Sequence, residues 1–160
     1  MKPYGYFERK LDELMEYKLS NELELIPNAR ELLEECKASG IKIALVTASN
    51  GRQMRSVLSR FPKGFFDAAV SRDDVEKSKP DPAPYLLAAN LLGVKNEFCV
   101  VFEDSPTGVQ SGLRSGAQVI GIPHLSQMEP HVNLRLIDAI ADVNLDQLIS
   151  WYPFLASRLN

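Results

Sequence analysis

Four short apolar runs alternate with longer segments of helical spacing, and this alternation restricts the chain to few folds. Residues 41–46, 68–71, 98–102 and 118–122 are short, apolar and partly β-branched, as strands buried on both faces are. Between them lie helix signals. Pro27-Asn28 opens a segment with Leu32, Leu33 and Cys36 on one face and Gly40 as its stop. Ser49 or Asn50 can cap a helix whose inner face is Met54, Val57, Leu58 and Phe61, ended by Pro62 and Gly64. Asp81-Pro82 begins another, through Leu86, Leu87 and Leu91 to Gly93, and Ser105-Pro106 a fourth, running to Gly116. The expected fold is α/β: a doubly wound parallel sheet with helices on both faces and ligands gathered beyond the carboxyl ends of the strands.

The flanks are less regular. Phe7, Leu11, Leu14 and Met15 recur with helical spacing over residues 6–19, giving an amphipathic helix that needs a partner surface. Residues 144–160, with Trp151, Tyr152 and Phe154, are expected to form a closing helix packed on the outside. No repeat or low-complexity linker interrupts the chain. Its 160 residues carry a net charge of -3 with both signs interspersed, so neither nucleic acid nor an anionic membrane is an expected partner. No apolar run approaches the roughly 20 residues of a membrane span, and the start lacks the apolar core of a secretory signal. A cytoplasmic location is expected. Cys36 and Cys99 have neither metal-ligand spacing nor scaffold density and read as packing residues in a reducing compartment.

Polar residues stand where three of the strands end or their loops begin. Thr47 closes the first run, Lys79 opens Lys79-Pro80-Asp81-Pro82, and Glu103-Asp104-Ser105-Pro106 closes the third. Two adjacent carboxylates before a helix amino terminus offer hard oxygen ligands for Mg²⁺ beside N–H groups that favour phosphate. Lys79 could neutralise phosphate charge if its loop folds over the strand ends. Each signal alone has a bland reading: a β-forming threonine, an exposed lysine, a helix cap at Asp104 or Ser105. Their order is the stronger observation, with 32 positions from Thr47 to Lys79 and 24 more to Glu103. His124 and His131, beside Pro123 and Pro130, read as surface-loop residues, and Arg52, Arg55 and Arg60 as the wet face of a helix.

With these residues placed, the chain resembles the haloacid dehalogenase superfamily, in its branch of small-molecule phosphatases and β-phosphoglucomutase-like enzymes. Leu45-Val46-Thr47-Ala48-Ser49 is similar to the second family motif, Lys77-Ser78-Lys79-Pro80-Asp81-Pro82 to the third, and residues 101–109 to the fourth. Gly112-Leu113-Arg114-Ser115-Gly116-Ala117 is similar to the stretch leading into the last core strand. The resemblance implies that Thr47 and Lys79 are catalytic, Thr47 holding the phosphoryl group and Lys79 stabilising the aspartyl-phosphate and its nucleophile. It implies that Ser49, Asn50 and Ser105 join them in binding substrate, and that Glu103 and Asp104 hold Mg²⁺. The implied partner is a small phosphorylated metabolite, such as a sugar or polyol phosphate. Residues 1–25 resemble the last helix of the family's cap, and 26–160 its core.

One family feature is missing. Family members begin with a strand ending in Asp-x-Asp, and these 160 residues contain no such motif. Asp67, Asp73 and Asp74 precede Lys79, while Asp138, Asp142 and Asp146 fall in the tail, all suited to solvation or capping. By the resemblance, the absent strand lies between the one ending at Thr47 and the one ending at Glu103. Three expectations fill the gap: direct pairing of those two strands, donation of a strand by another chain, or a longer parent protein of which this is a fragment or mispredicted gene product. The last is preferred because the other motifs are intact. Exposed sheet edges would also favour self-association. The isolated chain is expected to be inactive, leaving a non-catalytic phosphate-binding or regulatory/interaction module as the alternative.

Overall fold

The computed structural model describes residues 4–22, 24–123 and 127–158. Its strands are β1 (Ala44–Val46), β2 (Ala68–Val70), β3 (Val100–Glu103), β4 (Gln118–Gly121) and β5 (Leu134–Leu136). The helices are α1 (Tyr4–Asn21), α2 (Ala29–Ala38), α3 (Gly51–Leu58), α4 (Ala83–Leu92), α5 (Pro106–Arg114) and α6 (Leu145–Trp151). All strand pairs are parallel, with Ala44 opposite Ala68, Val100 opposite Gln118 and Val119 opposite Leu134.

Successive residues of β4 sort the core into two layers. Ile120 packs in a cluster with Leu32 and Cys36 of α2, Leu148 of α6, and Tyr152 and Leu155 beyond it. Its neighbour Val119 belongs to a second cluster with Val101, Tyr85 of α4 and Val109 of α5. Because side chains alternate across a strand, α2 and α6 cover one face and α4 and α5 the other. The doubly wound architecture expected from the alternation is the one observed.

The sheet is divided. β1 pairs with β2 alone and β3 with β4, so the expected direct pairing of β1 with β3 is absent among the described residues. Thr47 N donates to Val70 O and Asp67 N to Ile43 O, which turns Ala44 and Val46 toward the open side of β1. Gln118 N donates to Cys99 O and Ile122 N to Glu103 O, turning Val100 and Phe102 toward the open side of β3. Both half-sheets thus present ladder groups at the place the resemblance gives to the absent strand.

Several boundaries differ from those expected. The first strand begins at Ala44 because Ile41 N closes α2 on Cys36 O at 2.9 Å, while Ile43 N is taken by Asp67 Oδ2 at 2.9 Å. Phe98 lies in a 3₁₀ turn (Asn96–Phe98) ahead of β3. β5 has no counterpart in the sequence reading. The tail is a helix, α6, followed by a 3₁₀ segment (Pro153–Arg158), and its Leu148, Tyr152 and Leu155 are buried core rather than outer cladding. α1 lies against α3 through its polar side: Glu16 pairs with Arg52 at 3.1 Å and Ser20 O accepts from Arg60 at 2.8 Å. Both arginines remain exposed, as the wet face of a helix should be, while also holding α1. The opposite side of α1 leaves Leu11, Leu14 and Met15 exposed. No helix among the described residues is long and apolar enough to cross a membrane.

Candidate functional site

The loop before α4 is fixed from both sides. Asp81 Oδ1 accepts from Ala83 N at 3.0 Å, closing the turn into the helix, and Asp81 N donates to Ser78 O at 3.0 Å. From α5, Ser111 Oγ donates to Asp81 O at 2.5 Å and Arg114 to Pro80 O at 3.3 Å. The Lys79–Pro80 peptide bond is cis. Lys79 leaves this hydrogen-bonded loop, and its ammonium reaches the carboxyl ends of both half-sheets.

Lys79 Nζ donates to Val46 O of β1 at 3.1 Å and to Glu103 Oε1 of β3. The two charged side chains are 9% and 8% exposed, so this ion pair is a buried one. Desolvating such a pair is costly, and removing one partner leaves the other charge uncompensated, typically at about 3–5 kcal/mol. Tyr85, on α4, donates its phenol to the same Oε1, and its ring lies under Lys79 Nζ with the centroid 4.9 Å away. Burial, and then the Glu103 carboxylate, push the Tyr85 hydroxyl far above its ordinary range, so it stays a donor.

Glu103 Oε2 faces the start of α5. Ser105 caps that helix, accepting from Gly108 N at 3.1 Å, and its hydroxyl also lies 3.4 Å from Oε2. A Cβ at Gly108 would stand 1.9 Å from the same oxygen, so this carboxylate position requires glycine. Asp104, the next residue, is exposed.

Thr47 follows Val46 directly and accepts from Ser49 N at 3.1 Å. Asn50 commits its side-chain oxygen to the α3 cap, accepting from Gln53 N at 2.9 Å, beside Asp73, whose Oδ2 takes Gly51 N at 2.8 Å. The structure brings Lys79 and Glu103 into contact, sets Thr47 next to Val46, and places Asp104 and Ser105 immediately after Glu103. Ser49 and Asn50 occupy the adjoining turn into α3. Tyr85, Gly108 and the Val46 carbonyl were missed in the sequence. The first two had a faint signal, one six positions after Lys79 and the other five after Glu103. His131 Nδ1 accepts from its neighbour Asn133 N at 3.1 Å, and His124 lies outside the described residues.

A divalent cation fits this donor set in part. One Glu103 oxygen is occupied by Lys79 and Tyr85, leaving Oε2 and the exposed Asp104 carboxylate as hard ligands. No group of three or more His, Cys, Asp or Glu suited to a metal occurs among the described residues. Two carboxylates suffice for Mg²⁺ when water and a substrate phosphate complete its shell.

Residues 4–122 match the family model for haloacid dehalogenase-like hydrolases. The chain is 37% identical over 120 residues to a phosphorylated carbohydrates phosphatase of Thermotoga maritima, covering 74% of this chain and 56% of that protein. It is 37% identical over 99 residues to hexitol phosphatase A of Escherichia coli, covering 61% and 45%. Among solved structures, CbbY from Rhodobacter sphaeroides in complex with phosphate superposes with a TM-score of 0.79 at 28% identity, covering 92% of this chain and 69% of that one. The chain thus spans about half the length of these two phosphatases. It belongs to the haloacid dehalogenase-like hydrolase family, among its small-metabolite phosphatases and β-phosphoglucomutase-like members.

Proposed function

We propose that this chain carries the phosphate- and magnesium-handling part of a phosphohydrolase whose complete form acts on a sugar or polyol phosphate. The observation that carries the reading is the Lys79 ammonium, joined at once to Val46 O beside Thr47 and to Glu103 beside Asp104. Phosphoryl transfer needs positioning and charge neutralisation more than elaborate covalent machinery. In this reading Thr47, Ser49 and Asn50 hold the phosphoryl oxygens, Ser105 adds a hydroxyl, and Lys79 offsets negative charge. Glu103 Oε2 and Asp104 would hold Mg²⁺, which supplies Lewis-acid neutralisation of the phosphate when bound. The nucleophile is not among these residues, since no Asp-x-Asp occurs in the sequence. An Asp-x-Asp strand set between β1 and β3 would bring it to Lys79 and pass the phosphoryl group through an aspartyl-phosphate. Two relatives named for carbohydrate and hexitol phosphates support the substrate class. Residues 1–25 are proposed as the foot of a cap, which the exposed leucines of α1 support.

The test expresses the gene with its in-frame upstream region and assays sugar and polyol phosphates with Mg²⁺ and with chelator. Magnesium-dependent phosphate release, lost on Lys79→Ala, is expected. No release with an Asp-x-Asp strand in place would overturn the reading. For the 160-residue chain alone we propose no turnover of an aryl phosphate above the Lys79→Ala control, and turnover sensitive to that substitution would refute this. The missing motif also favours a second reading, a non-catalytic phosphate-binding module, which the same pair of assays separates from the first. Self-association through the open edges of β1 and β3 is part of the proposal for the isolated chain.

A further inference from the structure

We infer that Tyr85 is a positioning residue of this site: by holding Glu103 Oε1, its phenol keeps one N–H of the Lys79 ammonium free for an incoming phosphate. The inference rests on the phosphate-site reading above. An ammonium has three donors, and Lys79 directs one to Val46 O and one to Glu103 Oε1. The third is left for a ligand only if Glu103 does not take it. A carboxylate that receives one donor can turn both oxygens onto a lysine, and a buried pair gains Coulomb energy by doing so. Here Oε1 already accepts from Tyr85 as well as Lys79, which fills its two lone pairs, and Oε2 is held on the α5 side near Ser105 Oγ at 3.4 Å. The Tyr85 ring, 4.9 Å from Nζ, fixes the ammonium from a third direction. The ring also packs in the core with Val101 and Val109. Tyr85→Phe keeps that packing and removes only the hydroxyl.

The experiment titrates inorganic phosphate into the 160-residue protein in a magnesium buffer, read by the backbone amide shifts of Ser49 and Asn50. Tyr85→Phe is expected to raise the phosphate Kd about three- to tenfold, the range of one ordinary hydrogen bond, with Tm in the absence of phosphate little changed. In a Glu103→Gln background the same change should cost no further affinity, because Tyr85 acts through the carboxylate. Lys79→Met should lose binding altogether. Wild-type affinity in Tyr85→Phe, with binding lost in Lys79→Met, would overturn the inference and leave the site reading standing. An equal loss in the Glu103→Gln background, or a fall in Tm with unchanged affinity, would also overturn it. No phosphate binding by the wild-type protein would overturn both.

Discussion

A methyl group at Gly108 has no room, because Glu103 Oε2 would lie 1.9 Å from it. Gly108→Ala is therefore expected to displace the carboxylate and destabilise the fold by about 1–3 kcal/mol, the usual cost of overpacking. A lowered Tm together with weakened phosphate binding is the expected outcome, whereas unaltered values of both would show that the carboxylate is not held there. Cys36 behaves differently. Burial first, and then the adjacent Glu35 carboxylate, push its thiol from the ordinary 9.0 up to about 11. Between those values the folded chain keeps a proton that the unfolded chain has released, so stability is complete below about pH 9 and falls as pH rises toward 11. Chemical denaturation of wild type and Cys36→Ala across this window should show the steeper fall in wild type. At this scale the sequence displayed Thr47, Lys79, Glu103 and Asp104 through their places at strand ends. Tyr85 was hidden because the apolar pattern of α4 pointed to Leu86, Leu87 and Leu91, whereas folding exposes Leu86 and Leu91 and buries Tyr85 with its hydroxyl against Glu103.

α6 contributes Leu148 to the core and leads the chain to Tyr152 and Leu155, so its start matters beyond its seven residues. Asn144 accepts from Gln147 N at 2.9 Å, and Gln147 Oε1 accepts from Asn144 N at 3.0 Å, a reciprocal cap. Asn144→Ala should lower stability by about 1 kcal/mol, equivalent to about 2–4 °C in Tm for a chain of this size, without touching the site. Leu148→Ala, which opens a cavity at a side chain 3% exposed, should cost about 2–5 kcal/mol. The caps at Asn50 and Ser105 and the glycine stop at Gly93 were legible, since each depends on local backbone geometry. β5 was not. Leu134–Leu136 is three residues long, half-exposed or exposed, and strand-like only because β4 lies beside it.

Across the whole molecule the consequential feature is the divided sheet. Ala44 and Val46 on one side and Val100 and Phe102 on the other present ladder groups that no strand pairs among the described residues. Lys79 answers one of them, the Val46 carbonyl. Size-exclusion chromatography over a concentration series should show the isolated chain associating, and Val46→Pro, which removes an edge donor, should reduce the association. A concentration-independent monomer would mean that the edges are covered in another way. The sequence by itself determined the strand–helix alternation, the helix stops, the order of the polar motifs and the absence of Asp-x-Asp, because each is a matter of local pattern or plain composition. Only the tertiary structure decided that β1 and β3 stay apart, that the tail belongs to the core, and that Lys79, Tyr85 and Glu103 meet in one buried cluster. Those outcomes depend on which distant segments compete for the same buried space and the same hydrogen-bonding groups, and no window of neighbouring residues contains that competition.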